Sequence, residues 1–155
     1  QRMYVVILEE HNEIRPTLEK NMKDVIIAID QGTTGSTALL LDQNVQVVSN
    51  ANVEFPNHYP KPGWVEHDVT EIWDSVRQAI QGARAAAPNT TIRAIGITNQ
   101  RESTVVWDKR TGEPLYDCVL WHDARTSDTA AALPRRVPRF RRFPRARALW
   151  SSTAT

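Results

Sequence analysis

Beyond residue 22 the chain alternates short apolar runs with small polar turns. Residues 25–29 are five apolar positions rich in β-branched side chains. The run is too short for a helix and predicts a buried strand. A polar turn follows, then a second apolar run over residues 36–41, a turn at Asp42, Gln43 and Asn44, and a third run over 45–55. The third run alternates roughly at Val45, Val47, Ala51, Val53 and Phe55, and the three together predict an antiparallel meander. Three prolines within residues 56–62 exclude helix and central strand there. Asp68 is a good N-cap, with Glu71 three residues on as in a capping box. Val69, Ile72, Trp73, Val76, Ala79, Ile80 and Ala83 recur at helical spacing until Pro88, so a helix with one apolar face is expected to pack on the sheet. Strands are expected over 91–97, 103–107 and 119–121, with a turn over 108–112 and a helix from 125 through 133. The fold class read from this order is α/β: a mixed sheet begun by a meander and continued by crossover helices.

Both ends differ from this pattern. Residues 1–22 read as an N-terminal extension, loosely ordered, with a short strand over 4–8 and a polar helix as the alternative. Residues 23–133 read as the folded part. The formal charge of +1 conceals a split, because residues 134–155 hold seven arginines and no acid while every one of the 18 acids precedes them. Pro134, Pro138 and Pro144 among those arginines continue neither helix nor strand. The tail reads as disordered or translated out of frame. Its alternative use is nucleic-acid contact, through phosphate charges and stacking on Phe140, Phe143 and Trp150. A single cysteine, Cys118, excludes an internal disulfide and points to a reducing compartment. No run approaches the roughly 20 apolar residues of a membrane helix. The expected location is cytoplasmic, with no membrane partner.

Ligands of sheets with helix crossovers gather beyond the carboxyl ends of strands. Three polar clusters stand at such ends: Asp30 to Thr34, Asn99 to Glu102, and Trp121 to Arg125. In the first, glycines permit close backbone approach, hydroxyls and N–H groups suit phosphate oxygens, and Asp30 suits a magnesium ion held through water. A purely structural turn reads the same way. Arg101 and Glu102 form either a donor–acceptor pair for a polyol or two solvated loop charges. Trp121 is either a core aromatic or the apolar wall of a pocket. His58, His67 and His122 lack metal-ligand spacing and read as surface or local hydrogen-bonding residues.

Several strings carry a resemblance. Ile29-Asp30-Gln31-Gly32-Thr33-Thr34, the loop from Tyr59 through Pro62, Gly63 and Trp64 to Asp68, and Ile95-Gly96-Ile97-Thr98-Asn99-Gln100-Arg101-Glu102 resemble the FGGY carbohydrate kinases, on the glycerol kinase side of that family. Leu120-Trp121 and Arg125-Thr126 add a fourth match in the right order. The resemblance covers residues 23–133. It implies an actin-like ATPase (ribonuclease H-like) fold, with ATP and magnesium as cofactors and glycerol phosphorylated to glycerol 3-phosphate. It implies nucleotide-phosphate contacts at Gly32, Thr33, Thr34, Gly35 and Thr37, with Asp30 near the metal. Glycerol would meet Arg101 and Glu102 by hydrogen bonds and Trp121 by its carbon side.

The chain departs from that family in three respects. Many members have serine where Gly35 stands and arginine where Thr37 stands, which removes a hydroxyl and a cation. The family's catalytic aspartate, a further tyrosine and the adenine-binding second domain belong beyond residue 133 and have no counterpart here. Full-length relatives oligomerise. The resulting expectation is a glycerol kinase fragment, inactive alone, with a non-catalytic phosphate- or polyol-binding module as the alternative.

Overall fold

A computed structural model describes residues 22–133 and the backbone of the short strand Tyr4–Ile7. The remainder of residues 1–21 and the arginine-rich tail lie outside the described residues, so the expectations placed on them stay with the sequence. The meander forms as expected from β2 (Lys23–Gln31), β3 (Gly35–Leu41) and β4 (Val47–Glu54). Helix α1 (Val69–Ala86) crosses over and delivers β6 (Thr90–Asn99) parallel to β2. With β1 (Tyr4–Ile7) antiparallel to β6, the strand order is β1-β6-β2-β3-β4. A second, two-stranded sheet joins β5 (Glu66–His67) to β7 (Cys118–Val119). The compact unit ends at Arg125, and α2 (Ser127–Ala132) lies in a separate unit as a short helix with no buried residues.

The core forms between α1 and one face of the meander. Val25, Ile27 and Ile29 of β2 and Ala38 and Leu40 of β3 meet Ala79 and Ala83 of α1. The period of 2 in the strands selects these residues, and Ile26 on the opposite face is 43% exposed. The helix seats on small residues. Ser75, Ala79 and Ala83 form an i, i+4, i+8 line, and all three are buried. That closeness makes the buried serines accountable. Ser75 Oγ donates to the Ile72 carbonyl at 2.7 Å. It therefore accepts from Ser36 Oγ at 2.8 Å. Ser49 Oγ on β4 donates to the Ala83 carbonyl at 2.7 Å. Each buried hydroxyl has a partner, so none carries an uncompensated desolvation cost.

Four expectations are corrected. Trp73 is 60% exposed and not on the packing face, because Ser75 takes the place nearest the sheet. Residues 103–107 do not form a strand. Only isolated bridges link Thr104 to Val119 and Trp107 to Pro114, and the adjacent apolar residues Val106 and Trp107 remain mostly exposed. The strand expected at 119–121 stands one residue earlier, at β7, which leaves Trp121 in the turn beyond it. At the start of β4, Val45 has φ 60° and belongs to the preceding turn. That turn is held by the buried Asp42 carboxylate, which accepts from the N–H groups of Asn44 and Gln46, both at 2.9 Å, and from Lys23 Nζ at 2.9 Å.

Candidate functional site

The parallel pairing of β2 with β6 sets the site. Asp30 pairs with Thr98 and Gln31 with Asn99, so the turn after β2 and the loop after β6 leave the sheet at the same end. Gln100 N–H donates to the Gln31 carbonyl at 2.7 Å and ties the two together. The β2–β3 turn is tight: Gly32 N–H donates to the Gly35 carbonyl at 2.9 Å, and a Cβ on Gly32 would lie 3.1 Å from that oxygen. Gly35 opens β3 and faces Val53 so closely that a Cβ there would stand 2.8 Å from the Val53 carbonyl oxygen. Glycine at this position thus allows β4 to close on β3.

A small open cavity of about 190 Å³ lies at this end, lined by Thr33, Gln100, Arg101, Glu102 and Trp121. It is smaller than the roughly 300–1,000 Å³ of pockets for drug-sized ligands and suits a compact polar molecule. Trp121 is 57% exposed, which excludes the core reading and leaves the pocket-wall reading. Its indole Nε1 donates to Thr33 Oγ1 at 3.4 Å, bridging from the loop after β7 to the turn after β2. Glu102 has φ 61°, a left-handed conformation that a side chain larger than Asn or Asp rarely adopts. Arg101 and Glu102 are both exposed at the cavity. Thr34 sits in the same turn, its carbonyl accepting from Phe55 N–H at 3.3 Å. Asp30 and Thr37 do not line the cavity. They pair across β2 and β3, and the Thr37 hydroxyl accepts from Asn52 Nδ2 at 2.8 Å.

Behind Trp121 is a buried charged cluster that sequence spacing did not identify. Arg125 donates through Nε and one terminal nitrogen to the two Asp123 carboxylate oxygens, at 2.8 and 2.7 Å. The same terminal nitrogen reaches Glu66 at 2.7 Å, and Tyr116 Oη donates to that Glu66 oxygen at 2.9 Å. Val65 N–H donates to Asp123 at 2.6 Å. The guanidinium lies 3.9 Å from the centre of the Trp64 ring. The Arg125 guanidinium, followed by the Val65 and Arg125 backbone N–H groups, holds the Asp123 carboxyl well below the usual carboxylate range. Asp123 in turn raises Arg125 above its ordinary value. The cluster fixes the loop carrying Trp121 to β5. The motif Trp121–Arg125 was visible in sequence, but the partner Glu66 lies 59 residues from Arg125 and gave no local signal.

His67 was expected at the surface or in local hydrogen bonds, and it is fully buried, one hydrogen bond from the cavity-lining Gln100. Its Nε2 is bonded to Asn57 Oδ1, and its Nδ1 lies 3.3 Å from Gln100 Nε2. Burial is the main cause of a pKa below the ordinary histidine value. Among the described residues no group of three or more His, Cys, Asp or Glu could hold a metal ion, and no helix is long and apolar enough to cross a membrane.

Residues 25–154 match the FGGY family of carbohydrate kinases, N-terminal domain. The chain is 50% identical over 121 residues to glycerol kinase 2 of Streptomyces coelicolor, which covers 76% of this chain and 24% of that protein. It is 53% identical over 105 residues to glycerol kinase of Paraburkholderia phymatum, covering 66% and 21% of the two chains. Among solved structures, Plasmodium falciparum glycerol kinase with ADP superposes with a TM-score of 0.67 at 34% identity, over 71% of this chain and 22% of that one. A ligand-bound xylulose kinase from Lactobacillus acidophilus superposes with a TM-score of 0.65 at 26% identity, over 70% and 22%. The chain thus spans about a quarter of the length of the relatives it matches. The mixed sheet is that of the actin-like ATPase fold of these kinases, and the chain belongs to the FGGY family of carbohydrate kinases.

Proposed function

We propose that this chain carries the acceptor-binding side and the phosphate-facing turn of an ATP-dependent glycerol kinase. The observation that carries the reading is the cavity at the shared end of β2 and β6, where Thr33, Arg101, Glu102 and Trp121 converge. Glycerol presents hydroxyls along one edge and carbon–hydrogen surface along the other. Arg101 donates to the hydroxyls, Glu102 accepts from them, and the exposed Trp121 ring covers the carbons. The left-handed backbone at Glu102 is consistent with a residue held for a ligand rather than for the fold.

The turn suits the ATP phosphates. Glycine at 32 leaves the space that a Cβ would fill, and Thr33 and Thr34 carry hydroxyls beside it. Asp30, exposed at the end of β2, offers a single carboxylate, which suffices for a magnesium ion that keeps most of its waters. Gly32, Thr33 and Thr34 are assigned to phosphate contact, with Gly35 and Thr37 supporting the turn from β3. When bound, magnesium neutralises charge on the transferred phosphoryl group. This chain's residues bind and orient the acceptor, and Trp121 excludes water from one side. Among the described residues Glu102 is the only carboxylate lining the cavity, and in this reading its role is to accept from a glycerol hydroxyl. Among the described lining residues none is then left to take the acceptor's proton, so the chain is expected to bind without turnover.

Calorimetry on the chain with glycerol, and separately with magnesium ATP, tests the reading. Glycerol is expected to bind at millimolar affinity, which is about −4 kcal/mol, and Arg101→Ala and Glu102→Gln each abolish the heat. A coupled assay for glycerol 3-phosphate is expected to show no turnover. Absence of glycerol heat refutes the acceptor site, and turnover near the roughly 1–100 per second of kinases refutes the binding-only role.

A further inference from the structure

His67 joins three segments that surround the cavity without lining it. The residue is on β5, with no exposed surface, and its backbone pairs with Cys118 of β7. Its ring edge meets the Phe55 ring at a centroid distance of 4.8 Å and an interplanar angle of 89°. Nε2 is bonded to Asn57 Oδ1, a side-chain carbonyl that can only accept, so Nε2 carries the proton. Nδ1 is then an acceptor, and Gln100 Nε2 donates to it at 3.3 Å. Gln100 is fixed on its other side as well: Ser103 Oγ donates to its Oε1 at 3.1 Å, and its own N–H donates to the Gln31 carbonyl at 2.7 Å. The Thr33 backbone lies against the same imidazole. One buried ring therefore touches the turn after β2 and the residue immediately before Arg101 and Glu102.

We infer that His67 is a positioning residue of this site: its neutral imidazole, protonated on Nε2, sets the Gln100 side-chain amide and through it the placement of Arg101 and Glu102 against the Thr33 turn. A second proton would put an N–H at Nδ1 against the N–H of Gln100. Donor would face donor, and the amide would have to turn over, breaking its arrangement with Ser103. Burial keeps the ring neutral, and the charges around it divide. His58 from the loop after β4 and His122 from the loop after β7 oppose a positive charge, whereas Glu71 of α1 and, more weakly, the Thr33 backbone favour one. Glu71 is largely engaged by His58 Nε2 at 2.7 Å. Cys118 on β7 is buried, and its thiol is raised by burial, so it supplies no counter-charge.

The inference rests on the proposed acceptor site, but its test uses no ligand, so loss of glycerol binding and loss of this coupling are separate results. Nuclear magnetic resonance of the full chain reads both ring nitrogens of His67 and the amides of Gln100, Arg101 and Glu102. The expected tautomer at pH 7 has Nε2 protonated and Nδ1 bare; a proton on Nδ1 overturns the inference. On acidification below about pH 6.5, the Gln100 side-chain amide and the Arg101 and Glu102 backbone amides are expected to move with the His67 ring, on one common midpoint. His67→Phe keeps the ring shape and loses the acceptor, so this shared pH dependence is expected to vanish. His67→Asn places an oxygen near the Nδ1 position and is expected to restore the high-pH signals of Gln100. Arg101 and Glu102 amides that follow no His67 midpoint in the unaltered chain refute the coupling, whether or not either variant folds.

Discussion

Replacing Arg125 by alanine removes one cation from between two carboxylates that have almost no access to water. The Glu66 and Asp123 side chains are 5% and 2% exposed, and Arg125 itself is 15% exposed. Breaking a buried ion pair by deleting one partner costs roughly 3–5 kcal/mol, because the surviving charge is left uncompensated. Here two charges survive, which raises the cost. Tyr116, which donates to Glu66, is 53% exposed, so the cluster lies under a thin cover and water relaxes part of the penalty. The expected loss is therefore about 3 kcal/mol, a large share of the roughly 5–15 kcal/mol that holds a domain folded. Arg125→Lys keeps the charge but has no planar fork to span Asp123 and Glu66 together, and is expected to recover about half.

The pH dependence separates this mechanism from simple loss of packing. In the unaltered chain Asp123 has a folded pKa below its unfolded value. Its contribution is present above about pH 4 and is lost as pH falls through the depressed folded value. In Arg125→Ala the two buried carboxylates lose their cation and keep only the Tyr116 hydroxyl and the Val65 and residue-125 backbone N–H groups as donors, and burial beside a like charge is expected to raise the folded pKa of Asp123 above its unfolded value. The folded state then binds more protons, so stability increases as pH falls from 7 towards 5. Urea unfolding across pH 4–7, followed by circular dichroism, reads both effects. A loss under about 1 kcal/mol at pH 7, or a variant whose stability does not rise on acidification, refutes the account of this cluster as an uncompensated charge site.

Leu40 is fully buried between the meander and α1, and Leu40→Ala is expected to cost about 2–5 kcal/mol in urea unfolding with an unchanged slope. Asp68 caps α1 by accepting from Thr70 N–H at 2.6 Å and Glu71 N–H at 3.4 Å, so Asp68→Ala is expected to cost about 1 kcal/mol and to speed amide exchange in the first turn of the helix.

The sheet was legible because its residues obey local rules. Residues 25–29 could only be a buried strand, and Asp68 with Glu71 marked the start of α1 to the residue. The misreadings have a common cause. Periodicity places apolar residues but does not weigh how close two elements must come. Trp73 fits the apolar stripe of α1, yet the helix packs through Ser75, Ala79 and Ala83, whose small size permits close contact with β3 and β4. Residues 103–107 are β-branched and aromatic enough to read as a strand, but they form bridges only at Thr104 and Trp107, so no ladder propagates. The polar ends of β2, from Lys23 to Gln31, are strand because β3 and β6 supply backbone partners on both sides, which no side-chain pattern records.

The site divides along the same line. Thr33, Arg101, Glu102 and Trp121 are loop residues at strand ends, and the resemblance to carbohydrate kinases named each of them. What brings them to one cavity is the parallel register of β2 and β6, which α1 imposes by its crossover. What holds them there is a set of buried polar residues with distant partners: Glu66 for Arg125, and His67 for Asn57 and Gln100. Glu66 and His67 stand next to each other on β5, with side chains serving different loops. Glu66 secures the loop bearing Trp121, and His67 contacts both the Thr33 turn and Gln100. A two-residue strand is too short to stand out in any hydrophobic pattern. It is nonetheless the element whose side chains reach the Trp121 loop, the loop before Arg101 and the Thr33 turn. Substitutions at β5 should therefore disturb the three parts of the cavity together, whereas substitutions at Arg101 or Glu102 should remove binding and leave the fold intact.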